Sequence, residues 1–236
     1  MYAALGTLRF ADFRRGSDRM WRDADLDDTD IDAGFFLWEQ PIVTRFVKPA
    51  DRVLVVGCGM GRDLIAFCRM GCSTTGMEPL ASARTMAEKV LRDRGLSATV
   101  LPGYVEDWTI DGEFDVISLL ACPYSLIPGT DRRVAMLADA RARLSPGGRI
   151  LFSFLPSSNI GPRSERSLTL SRLVGRICRS DWLVESGDQF IRIDGEPLTF
   201  MYEHVFSAGE LEREVAGAGL RIAFHDRASS TVALTA

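Results

Sequence analysis

The chain has 236 residues, 46% of them hydrophobic and 25% charged, with a mean hydropathy of +0.03. That balance suits one sizeable core with an appended subdomain and excludes disordered and collagen-like chains. No stretch approaches the roughly 20 apolar residues of a membrane helix. A formal net charge of -4 and a pI near 5.3 argue against nucleic acid as the main partner, because a phosphate-tracking surface leaves a basic footprint.

The amino terminus, MYAALGTLRFADFRRG, lacks the charge order and apolar length of a signal peptide, so a cytoplasmic location is expected. Cys58, Cys68, Cys72, Cys122 and Cys178 form no CxxC pair, which gives neither a disulfide framework nor a zinc ribbon, and no metal is expected. Residues 1–50 read as a helical and acidic lid segment. There Phe10, Phe13, Trp21, Phe35, Phe36 and Trp38 flank the run DADLDDTDID at 23–32. Counted from Asp23, the EF-hand glycine and glutamate positions hold Asp28 and Gly34, so the run reads as a solvated loop or substrate lid.

From Asp51 the chain alternates β-rich and helical runs, the rhythm of βα units around a parallel sheet. RVLVVGCG (52–59) is apolar on both faces, as a central parallel strand is. A helix follows over about 61–70, then a strand at 72–78, a helix from Pro79 to about Arg94 and a strand at 97–103. The fourth strand is 114–120. The next helix is 130–144, ended by SPGG (145–148) before a fifth strand at 149–155. The alternation then breaks. Residues 157–200 read as an inserted substrate cap: a polar loop, a basic amphipathic helix at about 165–178, and a hairpin turning at Asp194-Gly195. The core resumes over 201–236, where Ser207 and Glu210 form a capping box ahead of inward-facing Leu211 and Val215. The last strands, 221–226 and 230–236, are joined too tightly for a crossover helix and so run antiparallel.

Gly57-Cys58-Gly59-Met60-Gly61, between a buried strand and a helix start, lets a ligand approach the backbone N–H groups. A nucleotide pyrophosphate or an amino-acid carboxylate would use it equally. Glu78 ends the second strand, where an acid accepts both hydrogen bonds of a ribose diol.

The chain resembles the class I S-adenosylmethionine-dependent methyltransferases over about 50–156 and 200–236. The likeness rests on VLVVGCGMGRD (53–63), Glu78 in GMEPL, GYVEDW (103–108), FDVISLL (114–120), RLSPGGRI (143–150) and HVFSAGELEREVAGAGLRI (204–222). It implies a Rossmann-like α/β fold: a seven-stranded, mostly parallel sheet with its last strand antiparallel, helices on both faces, and the cap inserted between strand 5 and the final helix. It also implies S-adenosyl-L-methionine as cofactor and S-adenosyl-L-homocysteine as product. By the same resemblance Gly57, Cys58, Gly59 and Gly61 lie against the methionine part, and Glu78 with Pro79 borders the ribose. Tyr104, Val105 and Glu106 border the adenine, while Leu120 and Ala121 sit near the sulfonium. Val55 stands where many members carry an acid, so Asp63 is expected to serve the cofactor's amino group. Tyr104 stands where an acid often meets adenine, with Glu106 as its replacement.

Methyl transfer from a sulfonium is an in-line displacement, whose main demands are alignment and exclusion of water. A base is needed only for an alcohol or a protonated amine, and Tyr124 and His204 are the candidates. The ACPYS segment (121–125) keeps only the last two residues of the amine-methylating D/N-P-P-Y/F motif, which disfavours nucleobase methylation. The aromatic amino terminus and the insertion are the expected acceptor walls. Arg163, Arg166, Arg172, Arg176 and Arg179 make either an anion clamp or a solvated helix face. The resulting expectation is methylation of an oxygen or nitrogen on a small-molecule acceptor by a monomer or homodimer, without nucleic acid or membrane. The alternatives are a non-catalytic S-adenosylmethionine-binding regulator or scaffold and a nicotinamide-dependent oxidoreductase, whose Tyr-x-x-x-Lys pair is missing from the sequence.

Overall fold

The computed structural model describes residues 6–22, 31–108, 110–157, 165–192 and 200–236. Two helices precede the sheet, α1 (Phe10–Arg22) and α2 (Gln40–Phe46). The core then runs β1 (Arg52–Val56), α3 (Arg62–Arg69), β2 (Ser73–Met77), α4 (Ala81–Asp93), β3 (Thr99–Leu101), β4 (Phe114–Leu119), α5 (Thr130–Ala142) and β5 (Leu144–Ser153). It closes with α7 (Glu210–Gly217), β9 (Arg221–Asp226) and β10 (Thr231–Thr235). Between β5 and α7 lie β6 (Leu155–Pro156), α6 (Glu165–Ile177), β7 (Asp188–Arg192) and β8 (Phe200–Phe206).

Seven strands form one sheet in the order β3-β2-β1-β4-β5-β10-β9. Strands β1 to β5 are parallel, and β10 pairs antiparallel with both β5 and β9. The expected α/β architecture is therefore observed. Burial follows the strand period: Leu54 and Val56 join one apolar layer with α5 and α7, while Val53 and Val55 join the opposite layer with α2, α3 and α4. The second sheet orders β6-β8-β7. It takes strands from both sides of the expected insertion boundaries, since β6 ends at Pro156 and β8 starts at Phe200.

Two local expectations change. SPGG does not separate helix from strand but bulges within β5, whose register to β4 shifts between Phe114 and Val116. Gly147 takes φ +79°, and a Cβ on Gly148 would lie 2.9 Å from the Ser145 carbonyl, so both glycines are needed for the bulge. The capping box is half formed. Glu210 Oε2 accepts the Ser207 N–H at 3.0 Å and the Ser207 hydroxyl at 2.7 Å, while the N-cap itself is Gly209 at φ 76°. The strands of the cap hairpin pair antiparallel from Asp188↔His204 to Arg192↔Phe200, but the Asp194-Gly195 turn lies outside the described residues.

Candidate functional site

The parallel strands all end on one side, and their carboxyl ends open into a cavity of about 520 Å³. This is the switch-point crevice where open α/β sheets bind ligands. Gly57, Cys58, Gly59 and Asp63 line it after β1, Glu78 and Pro79 after β2, Tyr104, Val105 and Glu106 after β3, and Leu120 and Ala121 after β4. Eleven of the twelve residues expected to hold a cofactor are thus brought together. Gly61 is the exception: it starts α3 at φ +102°, and a Cβ there would press on Ala87 of α4 at 3.3 Å. Its smallness serves helix packing rather than the cavity. Cys58 contributes backbone, because its thiol lies against Gly76, where a Cβ would come within 2.7 Å of the sulfur.

Glu78 is buried, and its two oxygens accept the Gly59 N–H and the Leu80 N–H, each at 3.0 Å. Each oxygen keeps a further lone pair for a ligand hydroxyl. Burial pushes the Glu78 carboxyl above its ordinary pKa, against the pull of these N–H groups and of Arg84. A Cβ built on Gly59 meets nothing within 4 Å, so the loop leaves open space for a ligand above its backbone. Donors, glycine loop and carboxylate together fit the adenosine and amino-acid parts of the expected cofactor.

Sequence reasoning missed what α1 adds. Arg14 Nε donates to Glu106 at 2.7 Å, a second nitrogen bonds Asp107, and the guanidinium lies 4.1 Å from the centroid of the Tyr104 ring. The Tyr104 hydroxyl donates to Asp18 at 2.8 Å, and burial with that carboxylate pushes the phenol up to about 12. Burial likewise raises Glu106, more than the Arg14 pairing lowers it. On the opposite wall Glu39, with 0% of its surface exposed, accepts the Ala121 N–H at 2.6 Å and the Ser153 hydroxyl at 3.0 Å. Ala121 and Cys122 both sit in the left-handed region, at φ 62° and 63°. The signal for Arg14, Asp18 and Glu39 is weak because each precedes the core and meets its partner only in three dimensions.

Both candidate bases are elsewhere. Tyr124, on the 3-10 turn Pro123–Leu126 after β4, is fully buried between Phe152 and Phe206, and its hydroxyl donates to Glu214. His204 is equally buried. Its Nδ1 lies 2.9 Å from Asp188 and its Nε2 2.9 Å from Glu210. Neither side chain lines the cavity. They belong instead to a buried charge cluster centred on Arg133, whose guanidinium bonds Glu214 at 2.7 Å and Glu185 at 2.8 Å. Glu185, His204 and Glu210 stand within 4.8 Å of one another, and the Arg133 guanidinium supplies the positive charge among these acids.

The cavity walls beyond the strand ends are α1 (Phe10, Phe13, Ser17, Trp21), Ile31, Ala33 and Phe36, and Met201 and Tyr202 of β8. The aromatic amino terminus is therefore a wall, as expected. No described residue of the expected 157–200 insertion lines the cavity, since Met201 and Tyr202 belong to the resumed core; Arg166, Arg172, Arg176 and Arg179 lie outside the lining and Arg172 donates to the Val184 carbonyl at 2.9 Å. Arg163 falls outside the described residues. No helix among the described residues is long and apolar enough to cross a membrane.

Residues 53–148 match a family model described as a methyltransferase domain. A ribosomal protein L11 methyltransferase of Nitrosomonas europaea is 34% identical over 117 residues, 46% of this chain and 36% of that protein. The chain thus spans about a third of that relative's length. In fold it is similar to the CcbJ methyltransferase of Streptomyces caelestis, with a TM-score of 0.62 and 16% identity over 84% of this chain and 94% of that one. It is also similar to an S-adenosylmethionine-dependent methyltransferase of Clostridium acetobutylicum, with a TM-score of 0.59 and 14% identity over 95% and 97% of the two chains. The sequence match runs from β1 into β5, the stretch that builds the glycine loop and the strand ends, so residues 53–148 match a methyltransferase domain and the fold is the one seen in S-adenosylmethionine-dependent methyltransferases.

Proposed function

We propose that this chain transfers a methyl group to an oxygen or nitrogen of a small-molecule acceptor. The supporting observation is a cavity whose one side gathers Glu78, Tyr104 and Glu106 and whose other side is walled by α1, β8 and the loop after β4. Bound there, S-adenosylmethionine supplies a sulfonium methyl: the S–CH3 bond breaks with its electron pair left on sulfur, and the acceptor's lone pair forms the new bond.

The chain's part is binding, orientation and exclusion of water. Glu78 takes the ribose hydroxyls, Asp63 pairs with the cofactor's ammonium, and Glu106 with Tyr104 frames the adenine. Leu120 and Ala121, held by Glu39, set the floor on which donor and acceptor meet. With the acceptor's lone pair aligned on the sulfonium methyl in one chamber, most of the barrier lowering comes from positioning. An acceptor N–H or O–H releases its proton to water. We place the protein in the cytoplasm, where five cysteines in no disulfide stay reduced.

Isothermal titration with S-adenosylhomocysteine, run beside NAD and NADP, tests this reading. Micromolar binding of the first alone is expected. Glu78→Ala removes the acceptor of two ligand hydroxyls, and at about 1.5–3 kcal/mol for a hydrogen bond to a charged group it should weaken binding at least about tenfold. Nicotinamide binding, or an unchanged affinity in a folded Glu78→Ala protein, would refute the assignment.

A further inference from the structure

The strand order divides the cavity. β3, β2 and β1 lie on one side and carry the glycine loop, Glu78 and the Tyr104–Glu106 turn, while β4 opens the other side. That second half is walled by Phe10, Phe13, Leu126, Pro128, Met201 and Tyr202. Five of the six carry no hydrogen-bonding side chain. The sixth, Tyr202, is 5% exposed and spends its hydroxyl on Asp188 at 2.7 Å.

Two guanidinium groups stack on the Phe10 ring. That of Arg132, 4.2 Å from the centroid, donates to the Asp181 carbonyl and lies outside the cavity lining, and that of Arg14, 4.8 Å away, is bonded to Glu106 and Asp107. The wall is rigid as well as apolar. The Phe13 ring meets Trp182 edge-on at 4.6 Å and Tyr202 at 5.1 Å, and Phe190 closes the cluster 5.9 Å from Phe13. Such edge-to-face aromatic groups hold a preformed surface. An ionised acceptor entering this half would lose its hydration without gaining a counter-charge, at a cost that grows steeply in a low-dielectric site. An uncharged ring system would lose little and gain apolar contact on several sides.

Resting on the methyltransferase reading above, we infer that the acceptor is an uncharged, flat aromatic or heteroaromatic small molecule of one or two rings, seated between α1, β8 and the turn after β4. The cavity of about 520 Å³ must also hold the cofactor, which leaves room for an acceptor group of that size.

The test uses the full chain saturated with S-adenosylhomocysteine, whose own binding is first measured by calorimetry. Indole and quinoline, both neutral near pH 8, are compared with 2-naphthoate and benzylamine, which are charged there, by saturation-transfer NMR and by tryptophan fluorescence. The neutral probes are expected to bind at least tenfold tighter than the charged ones. Met201→Lys, which places a charge on the wall, is expected to lose the neutral probes tenfold while S-adenosylhomocysteine affinity stays within twofold. Equal or tighter binding of naphthoate or benzylamine overturns the inference and leaves the methyltransferase reading standing, and so does normal S-adenosylhomocysteine binding with no probe bound. Failure to bind S-adenosylhomocysteine overturns both.

Discussion

Replacing Glu39 tests how the loop after β4 is held. Its Oε1 accepts the Ala121 N–H and the Ser153 hydroxyl, and Ser153 Oγ in turn accepts the Cys122 N–H at 2.9 Å. One carboxylate thus fixes, directly and through Ser153, two successive peptides whose residues sit at φ 62° and 63°. Left-handed backbone costs a non-glycine residue about 1–2 kcal/mol, so the loop keeps this shape only while those bonds persist. Glu39→Ala leaves the Ala121 N–H and the Ser153 hydroxyl without an acceptor, a loss of about 2 kcal/mol in a buried setting. For a chain of this size that is roughly 4–8 °C in Tm.

Turnover should fall by about tenfold or more, because Leu120 and Ala121 form the floor and small misplacements are costly in an in-line transfer. Glu39→Gln keeps the acceptor oxygen and should restore both. Burial holds the Glu39 carboxyl above its ordinary pKa, with the Ala121 N–H opposing it. A raised carboxylate pKa means that ionisation costs stability as the pH rises through the shifted range. Glu39→Gln escapes that cost, so its Tm relative to wild type should be higher at pH 8 than at pH 4. Differential scanning calorimetry with steady-state kinetics reads these quantities. A Glu39→Ala protein melting within 1 °C of wild type with full activity would sink the argument.

Three further substitutions follow from the placement of the remaining side chains. Tyr124→Phe removes a buried hydroxyl from Glu214, which keeps Arg133; stability should drop by about 1 kcal/mol with kcat unchanged within twofold, and a tenfold loss of kcat in a stopped assay would return Tyr124 to the chemistry. Arg14→Ala removes a partly exposed ion pair and a ring contact from the adenine edge, together worth about 1 kcal/mol, so S-adenosylhomocysteine should bind about fivefold more weakly by calorimetry. For His204, burial works against the charged ring, but hydrogen bonds to Asp188 and Glu210 outweigh it and hold the pKa above that of a free histidine. A raised histidine pKa contributes stability below about pH 6.5 that is lost as the pH rises through the native value. The Tm advantage of wild type over His204→Gln should therefore be largest near pH 6 and shrink on the alkaline side, and a pH-independent gap would contradict the raised pKa.

The parts of the fold that show in the sequence are those where local pattern and tertiary environment agree. β1 and β4 are apolar on both faces because helices cover both, and the glycine loop announces itself because glycine takes the left-handed turns at Gly57 and Gly59 without strain. Tyr124 and His204 mislead for the opposite reason. Each stands in chain order where an acceptor should be met, but chain order does not fix side-chain direction. The 3-10 turn drives Tyr124 down between Phe152 and Phe206, and the β7–β8 pairing sets His204 opposite Asp188. Arg14 and Glu106 are 92 positions apart, and nothing periodic in α1 marks the helix that reaches the adenine edge. SPGG reads as a terminator because its glycines break local regularity, whereas the sheet absorbs them as a bulge.

The magnitudes decide what holds α1 over the site. Its polar contacts to Glu106, Asp107 and Tyr104 are partly exposed, with Arg14 at 27% and Asp107 at 56% side-chain exposure, and pairs of that kind contribute about 0–1 kcal/mol each. Phe13, at 4% exposure, contributes about 1.5–3 kcal/mol by burial alone, before its ring contacts with Trp182 and Tyr202 are counted. The start of α1 is also bonded to the cap, through Trp182 Nε1 to the Leu8 carbonyl at 2.9 Å and the Phe10 N–H to Asp181 at 2.8 Å. α1 and the cap therefore form one unit, joined by its strongest contacts on the acceptor side and by its weakest along the adenine edge. The adenine-edge seam is made of ion pairs that salt screens, so added salt should loosen α1 there before it disturbs the aromatic wall, whose burial does not depend on charge.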